Sequence, residues 1–203
     1  MTIFDPGAAA ATFGLILPAE LPDKTMVATL VLATRYRPWP VWTGVCAAFF
    51  VQSLVAVVAG GLLAQLPHRP VLAMTAALFA IGAFLLFRQG DEDAEEEAAE
   101  VRRTPPAERS ARRIALVSFG VLFAAEWGDL SQLLTAALTA RYDAPVGVFV
   151  GSWLALALIA GLAVVAGRSL LRVIPVRLFR AIAGALFAGL AVFTALEAAS
   201  VFG

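Results

Sequence analysis

The sequence predicts an all-α membrane protein with six transmembrane helices, arranged as two inverted three-helix repeats. The first helix of each repeat is predicted to carry acidic residues and to be kinked or broken. Three observations support this fold class: long apolar runs, an internal duplication and a one-sided distribution of arginine. Of the 203 residues, 61% are hydrophobic and only 15% are charged, which is rare in a soluble domain of this size.

Six apolar runs of roughly 20 residues provide the predicted spans, since that length crosses a hydrocarbon core about 30 Å thick. Lipid offers the backbone no hydrogen-bond partner, so each run is predicted to be a helix. The predicted repeats cover residues 1–88 and 114–203, joined by an acidic and basic linker at 89–113. The runs cover about 8–34, 41–64, 70–88, 114–140, 145–167 and 179–201.

The two halves of the chain resemble each other when the first is shifted by 106 positions. An internal duplication explains the matches better than chance. Three spans per repeat is an odd number, so the second copy must enter the membrane from the opposite side. Identical residues pair Glu20 with Glu126, Asp23 with Asp129, Thr29 with Thr135, Arg35 with Arg141 and Tyr36 with Tyr142.

Arginine is divided unequally between the two predicted sides of the membrane. Twelve arginines fall on the side of the linker, and only Arg69 and Arg141 fall on the other. The positive-inside rule therefore predicts a cytoplasmic linker, with both termini outside. The net charge of zero argues against a nucleic-acid partner.

Four acidic residues lie near the middle of predicted spans, as the pairs Glu20/Asp23 and Glu126/Asp129. Each charge at a helix centre costs about 2.5–3.5 kcal/mol on insertion scales. The spacing of three residues places both acids of a pair on one helix face. Inverted repeats build their sites where the halves meet, so the four carboxylates are predicted to converge on one midplane site.

Clustered carboxylates with neutral oxygens suit the hard cations Ca²⁺, Mn²⁺ and Mg²⁺. Thr25, Ser131, Gln132 and Gln52 are the candidates for those additional oxygens. No His or Cys accompanies the acids, which argues against zinc or copper. Without metal, repulsion and desolvation favour protonated carboxyl groups, so a binding metal ion displaces protons. The pattern predicts a cation/proton exchanger.

Helix breakers accompany both acidic pairs. Pro18 and Pro22 predict a kinked or unwound first helix, and Gly128 lies at the position matching Pro22 in the second repeat. A simple proline kink and an unwound segment with free carbonyls are both compatible with this pattern. Lys24 is predicted to offset the surplus of acid, and Glu197 to be a solvated residue at the outer end of the last span.

The duplicated motif resembles the transmembrane protein 165 family, a Gdt-type family also called uncharacterised protein family 0016. Its pattern Glu-x-Gly-Asp-(Lys/Arg)-(Thr/Ser) is matched by ELPDKT at 20–25 and EWGDLS at 126–131. The resemblance implies two inverted repeats and transport of Mn²⁺ and/or Ca²⁺ against protons, with no prosthetic group. In bacteria it implies manganese export across the plasma (inner) membrane.

Carried over from that family, the motif acids are Glu20, Asp23, Glu126 and Asp129, and the hydroxyl positions are Thr25 and Ser131. Gln132 matches the glutamine that often follows the motif.

Two positions depart from the family pattern. Pro22 replaces the motif glycine, and Leu130 replaces the motif Lys or Arg. The second change leaves four acids with one lysine, which predicts a more negative or more protonated site when no metal is bound.

Two other functions are compatible with the sequence. An intramembrane aspartyl protease could use Asp23 and Asp129 as a proton-sharing pair, although each Asp here follows a Glu three residues earlier. The other hypothesis is an exporter of small organic cations or amino acids. The expected partners are divalent cations, protons and the lipid bilayer, and a homodimer is left open.

Overall fold

The computed structural model describes residues 4–20, 24–65, 68–88, 110–173 and 176–200. This part of the chain is entirely helical outside its turns, in agreement with the predicted all-α class. Asp23, Pro22 and most of the predicted linker lie outside the described residues. The helices are α1 (Pro6–Glu20), α2 (Lys24–Arg35), α3 (Pro38–Leu63), α4 (His68–Arg88), α5 (Ala111–Ala125), α6 (Leu130–Tyr142), α7 (Pro145–Val173) and α8 (Val176–Ser200).

Local sequence explains several helix ends. Pro6, Pro38 and Pro145 are the first residues of their helices, where a missing backbone N–H costs nothing. Asp5 precedes α1 and accepts a hydrogen bond from the Gly7 N–H through Oδ1 at 2.8 Å, as an N-cap residue does. Asp143 closes α6 in the left-handed region with φ 49°, which aspartate tolerates better than most residues.

The break predicted in the first helix of the second repeat is confirmed, because α5 and α6 are bent by 74° across it. In the first repeat α1 ends at Glu20 and α2 begins at Lys24, and the residues between them lie outside the described ranges. One bound differs from the prediction: α7 continues six residues beyond the predicted end of its span, to Val173. Arg168 and Arg172 follow the predicted end of the span, but arginine is a good helix former and does not end a helix.

Within the described residues, two helices are long and apolar enough to cross a membrane, Pro38–Leu63 and Pro145–Val165. The bent pair α5–α6 would make a third span if it counts as one. Shorter apolar helices cover Leu72–Phe84 and Gly184–Ala199.

The central helices α3 and α7 run antiparallel and are joined by two tryptophans. The Trp42 Nε1–H donates to the Ala157 carbonyl, and the Trp153 Nε1–H donates to the Cys46 carbonyl, each at 3.0 Å. Residue numbers therefore rise along α3 as they fall along α7. One turn beyond the Trp153–Cys46 bond, Phe50 and Phe149 make a T-shaped contact with ring centroids 5.1 Å apart.

Glycines let one helix of each half lie directly against a central helix. A Cβ on Gly151 of α7 would collide with the Ala9 carbonyl of α1, and one on Gly44 of α3 would collide with the Ala115 carbonyl of α5. Ala9 and Ala115 are 106 positions apart, the same shift that relates the acidic pairs. Close backbone approach at small residues is how membrane helices gain dispersion energy without a hydrophobic driving force.

Helices α2 and α6 contact opposite ends of the central pair. In α2, Met26 packs against Ile159 and Ala163 in the later part of α7. In α6, the Ala136 carbonyl and Thr139 lie against Gly60, near the end of α3. Because α3 and α7 are antiparallel, the later part of α7 and the end of α3 lie at opposite ends of the pair.

Helices α4 and α8 pack against each other through small and aromatic residues. Phe79 and Phe187 are each 1% exposed and meet with ring centroids 6.0 Å apart. A Cβ on Gly82 would lie 2.5 Å from Phe187 Cδ1 and 3.1 Å from Leu130 Cδ1. Leu130 at the start of α6 is therefore held in the apolar region where α4 and α8 meet.

Candidate metal centre

The carboxylates of the candidate site come from helix ends. Glu20 is the last residue of α1 and is 2% exposed. Glu126 is the residue that ends α5, 3% exposed, with its N–H bonded to the Leu122 carbonyl at 3.0 Å. Asp129 precedes the first residue of α6. Glu126 and Asp129 thus lie at a break in helical structure, and Glu20 is at the end of α1; the backbone groups at a helix end are not all used within the helix.

A tight turn between α5 and α6 brings Glu126 and Asp129 together. The Asp129 N–H donates to the Glu126 carbonyl at 3.3 Å, and Gly128 has φ +80°, which favours glycine because it lacks a Cβ. The Gln132 Oε1 accepts from the Gly128 N–H at 3.0 Å. Gln132 therefore fastens the turn to the first turn of α6.

Glu20, Glu126 and Asp129 converge. One carboxylate oxygen from each of the three lies within 4.8 Å of the others, although Glu20 belongs to the first half of the chain and the other two to the second. Three oxygens this close can share one hard cation or one or more protons. The first-half partner Asp23 lies outside the described residues, so the geometry covers three of the four predicted acids.

A polar crevice lies at the junction of α3, α6 and α7, where α6 begins directly after Asp129. Two hydroxyl contacts join the three helices: Ser53 Oγ lies 3.2 Å from Ser152 Oγ, and Thr135 Oγ1 lies 2.9 Å from the same Ser152 oxygen. Thr135 also lies 2.6 Å from the Ser131 carbonyl. The crevice is lined by Gln52, Ser53, Ser131, Gln132, Thr135, Ser152 and Leu156.

Three of the predicted supporting residues belong to this crevice: Gln52, Ser131 and Gln132. Gln52 is 2% exposed, and its Nε2 donates to the Phe123 carbonyl at 3.2 Å. That bond uses the side-chain nitrogen and leaves the side-chain oxygen of Gln52, Oε1, to accept from or coordinate another partner. The side chains of Thr25 and Lys24, like Asp23 and Pro22, lie outside the description.

Of the predicted helix breakers, Gly128 occupies the turn between α5 and α6. Pro18 lies inside α1, and helical structure continues to Glu20. The end of α1 therefore comes two residues after Pro18, and that proline does not unwind the helix at its own position.

Sequence reasoning did not select Ser53, Thr135 and Ser152. A signal for Thr135 was present, because it is one of the residues identical between the halves. The two serines were detectable only as polar residues within the most apolar runs. Their role in the crevice depends on the contact between α3 and α7, which no sequence pattern specifies.

Glu197, predicted to be a solvated residue at the outer end of the last span, forms an ion pair. Its Oε2 lies 2.9 Å from Arg141 Nη2, joining α8 to the end of α6, and the Glu197 side chain is 39% exposed. Arg141 also lies 3.3 Å from the Thr194 hydroxyl and over the Phe193 ring at 5.5 Å. Arginine can satisfy all three contacts at once because its guanidinium is planar with several donors.

Comparison with known proteins gives a consistent family. The family model described as "Divalent cation/proton antiporter GDT1" matches residues 8–94 and 114–201. GDT1-like protein 3 of Arabidopsis thaliana is 31% identical, over 94% of this chain and 70% of its own. A GDT1-like protein of Synechocystis sp. is 34% identical, over 78% of this chain and 83% of its own.

A chloroplastic relative, the PAM71-homolog of Arabidopsis thaliana, is 28% identical over 87% of this chain and 56% of its own length. No solved structure matches the chain.

Proposed function

Because the chain belongs to the divalent cation/proton antiporter GDT1 family, we propose that it exports Mn²⁺, and/or moves Ca²⁺, in exchange for protons. Family membership makes it a cation transporter of the membrane and not an enzyme. The protease reading of Asp23 and Asp129 is therefore dropped, and so is the exporter of organic cations or amino acids.

The convergence of Glu20, Glu126 and Asp129 within 4.8 Å carries the proposal. Carboxylates that are 2–3% exposed, as Glu20 and Glu126 are, are costly when charged and isolated. Metal and protons relieve that cost in alternative ways, so occupancy by one disfavours the other. In this proposal Asp23 is the fourth ligand, and Ser131 and Gln52 supply neutral oxygens.

The proposed architecture is six spans in two inverted repeats. It is supported by the antiparallel pair α3 and α7, and by the matching contacts Gly151–Ala9 and Gly44–Ala115. Helices α2 and α6 then lead from one central site toward opposite sides of the membrane. Such an arrangement suits alternating exposure of the site.

The proposed location is the plasma membrane, with a cytoplasmic linker and external termini. The arginine distribution supports this orientation. Mn²⁺ or Ca²⁺ is cargo in this mechanism, and a resident cofactor is not part of the proposal. A homodimer stays a prediction.

Flux measurements in proteoliposomes test the proposal. Purified protein is expected to move Mn²⁺ down its gradient with opposite movement of protons, read with a metal-sensitive dye and a pH-sensitive dye. Asp129→Asn is expected to abolish both signals. The Asp129 side chain makes no capping hydrogen bond to α6, so this variant changes the carboxylate without removing a cap.

Mn²⁺ flux without any proton movement would contradict the exchange, and full flux in Asp129→Asn would contradict the site. Competition between Mn²⁺ and Ca²⁺ in the same vesicles determines the preferred cargo, since both accept the same oxygen ligands.

A further inference from the structure

Building on the proposed function, we propose that the two sides of the carboxylate site are unequal in this chain. On the side where α6 contacts the central pair, the hydroxyls of Ser53, Thr135 and Ser152 line a passage that opens for a partly hydrated divalent cation. On the side where α2 contacts it, an apolar barrier made by Leu17, Met26, Ile159 and Ala163 closes the site.

The passage is built from buried hydroxyls that contact one another across three helices. Ser53, Thr135 and Ser152 are each 1–2% exposed and are joined by hydroxyl contacts of 3.2 and 2.9 Å through Ser152. Buried hydroxyls can replace water molecules around a cation, because each keeps a lone pair available while it donates elsewhere. They lie in the crevice that also contains Ser131 and Gln132, next to the carboxylates.

The repeat identifies the equivalent positions on the other side. The matched glycines Gly44 and Gly151 relate α3 to α7 by a shift of 107 positions, while the acids relate α1–α2 to α5–α6 by 106. The counterparts of Gln52, Ser53, Gln132 and Ser152 are then Ile159, Ala160, Met26 and Val45. Four polar side chains of the crevice thus have apolar counterparts.

The structure brings the apolar counterparts together. Met26, Ile159 and Ala163 form a cluster with exposed fractions of 0–1%, and Leu17 packs against it. Leu17 packs against the cluster that contains Ile159. Their counterparts, Phe123 and Gln52, are joined by the hydrogen bond from Gln52 Nε2 to the Phe123 carbonyl. The same packing relation is therefore polar in one half and apolar in the other.

The hydroxyl of Thr29 shows the same difference between the two sides. Thr29 is the counterpart of Thr135 and is fully buried, but its hydroxyl has no hydrogen-bond partner among the described residues. Thr135 has Ser152 as a partner, whereas the position equivalent to Ser152 on the α2 side is Val45. An unsatisfied hydroxyl costs free energy, which is consistent with a polar lining that one half has lost.

The energetic consequence is a difference between the two routes. A divalent cation surrenders part of its hydration shell on leaving water, and the loss is tolerable only where oxygens replace it. The hydroxyls provide such oxygens on the α6 side. Methyl and thioether groups of Ile159 and Met26 provide no comparable ligand for a hard cation, so the α2 side must move apart before an ion can pass.

Thiol labelling tests the inequality without any transport. Cys46, the single cysteine, is replaced by alanine, and Ser152→Cys or Ile159→Cys is introduced. A positively charged methanethiosulfonate reagent is applied to the metal-free protein. Ser152→Cys is expected to react at least ~tenfold faster, because modification requires a solvated thiolate. Equal rates, or faster reaction of Ile159→Cys, would overturn the proposal.

The labelling rates at the two positions can be compared directly because Ser152 and Ile159 are equally buried in the structure, at 1% and 0% exposed. Any difference in rate therefore reports how readily each side opens, and not how exposed each residue is when closed.

A matched pair of threonines tests the passage by flux. Thr135→Val removes a hydroxyl of the passage and is expected to slow Mn²⁺ flux about fivefold, the factor that corresponds to one lost hydrogen bond. Thr29→Val makes the same isosteric change on the α2 side and is expected to leave flux unchanged. Equal effects of the two variants would overturn the passage.

The two proposals fail separately. If the unmodified protein moves neither Mn²⁺ nor Ca²⁺, the proposed exchange fails, while the labelling comparison still decides the inequality. If exchange is intact but the two threonine variants match, or the two cysteines label alike, the inequality alone fails.

Discussion

Glu20 and Glu126, 106 residues apart in the chain, each place a carboxylate oxygen within 4.8 Å of the other. Both side chains are almost completely buried. The contact joins the two halves of the chain through the same position of each repeat. Two carboxylates this close repel each other when both are charged, and a bound cation or proton relieves that repulsion.

Glu126→Gln is predicted to reduce Mn²⁺ flux at least ~tenfold, because removing even a residue that only hydrogen-bonds to a metal ligand lowers metal affinity or activity by that factor. The amide has the same size, and removing one of two facing acids relieves repulsion. Thermal unfolding in detergent should therefore show equal or higher stability. Flux in proteoliposomes and unfolding are measured on the same preparation.

The control is Asp143→Asn, the same chemical change at an exposed acid in the turn after α6. Its flux should equal that of the unmodified protein. If Glu126→Gln retained full flux, Glu126 would not hold the cargo.

Gly151→Ala is predicted to destabilise the fold by about 1–3 kcal/mol, the cost of overpacking a close contact. The new methyl would collide with the Ala9 carbonyl and separate α1 from α7. Gly14→Ala is the matched control, because a Cβ there meets nothing within 4 Å. It should leave stability equal or raise it by up to ~1 kcal/mol through helix propensity. Equal unfolding curves for the two variants would refute the close packing.

The ion pair between Arg141 and Glu197 is predicted to have a coupling energy of at most about 1 kcal/mol. Both residues lie at the outer ends of predicted spans and are partly exposed, 19% and 39%, so water is expected to screen the charges as it does in surface pairs. A double-mutant cycle with Arg141→Met and Glu197→Gln, read by unfolding in detergent, isolates the coupling. Additive effects of the two changes would mean that the pair contributes nothing.

Leu130→Lys is predicted to move the acid limb of the flux profile to lower pH, because a nearby cation favours charged carboxylates that bind metal. It should also lower stability, since Leu130 lies beside Gly82 and Phe187 in an apolar contact. Leu130→Met keeps the volume without the charge and should leave the pH profile unchanged. An unshifted profile in the lysine variant would show that the ammonium does not act on the site.

The acidic motif and its duplication could be identified from the sequence because both are local patterns. Buried charge is expensive in a membrane, so an acid inside an apolar run stands out against its surroundings. The match of Glu20 with Glu126 then indicated that the two halves are repeats of each other. The all-helical fold followed from apolar length alone. Helix ends were predicted less well, because α7 continues to Val173, six residues beyond the predicted end of its span.

The sequence by itself determined the class of protein and the helical content, and it predicted the acidic residues of the candidate site. Each of these depends on the composition and spacing of residues along one segment. Only the tertiary structure decided that Glu20 meets Glu126 and Asp129, that Ser53, Thr135 and Ser152 share one crevice, and that Glu197 pairs with Arg141. Those contacts arise from how α3 and α7 cross and which glycines let α1 and α5 approach them. Packing of distant segments fixes such contacts, and no local pattern records it.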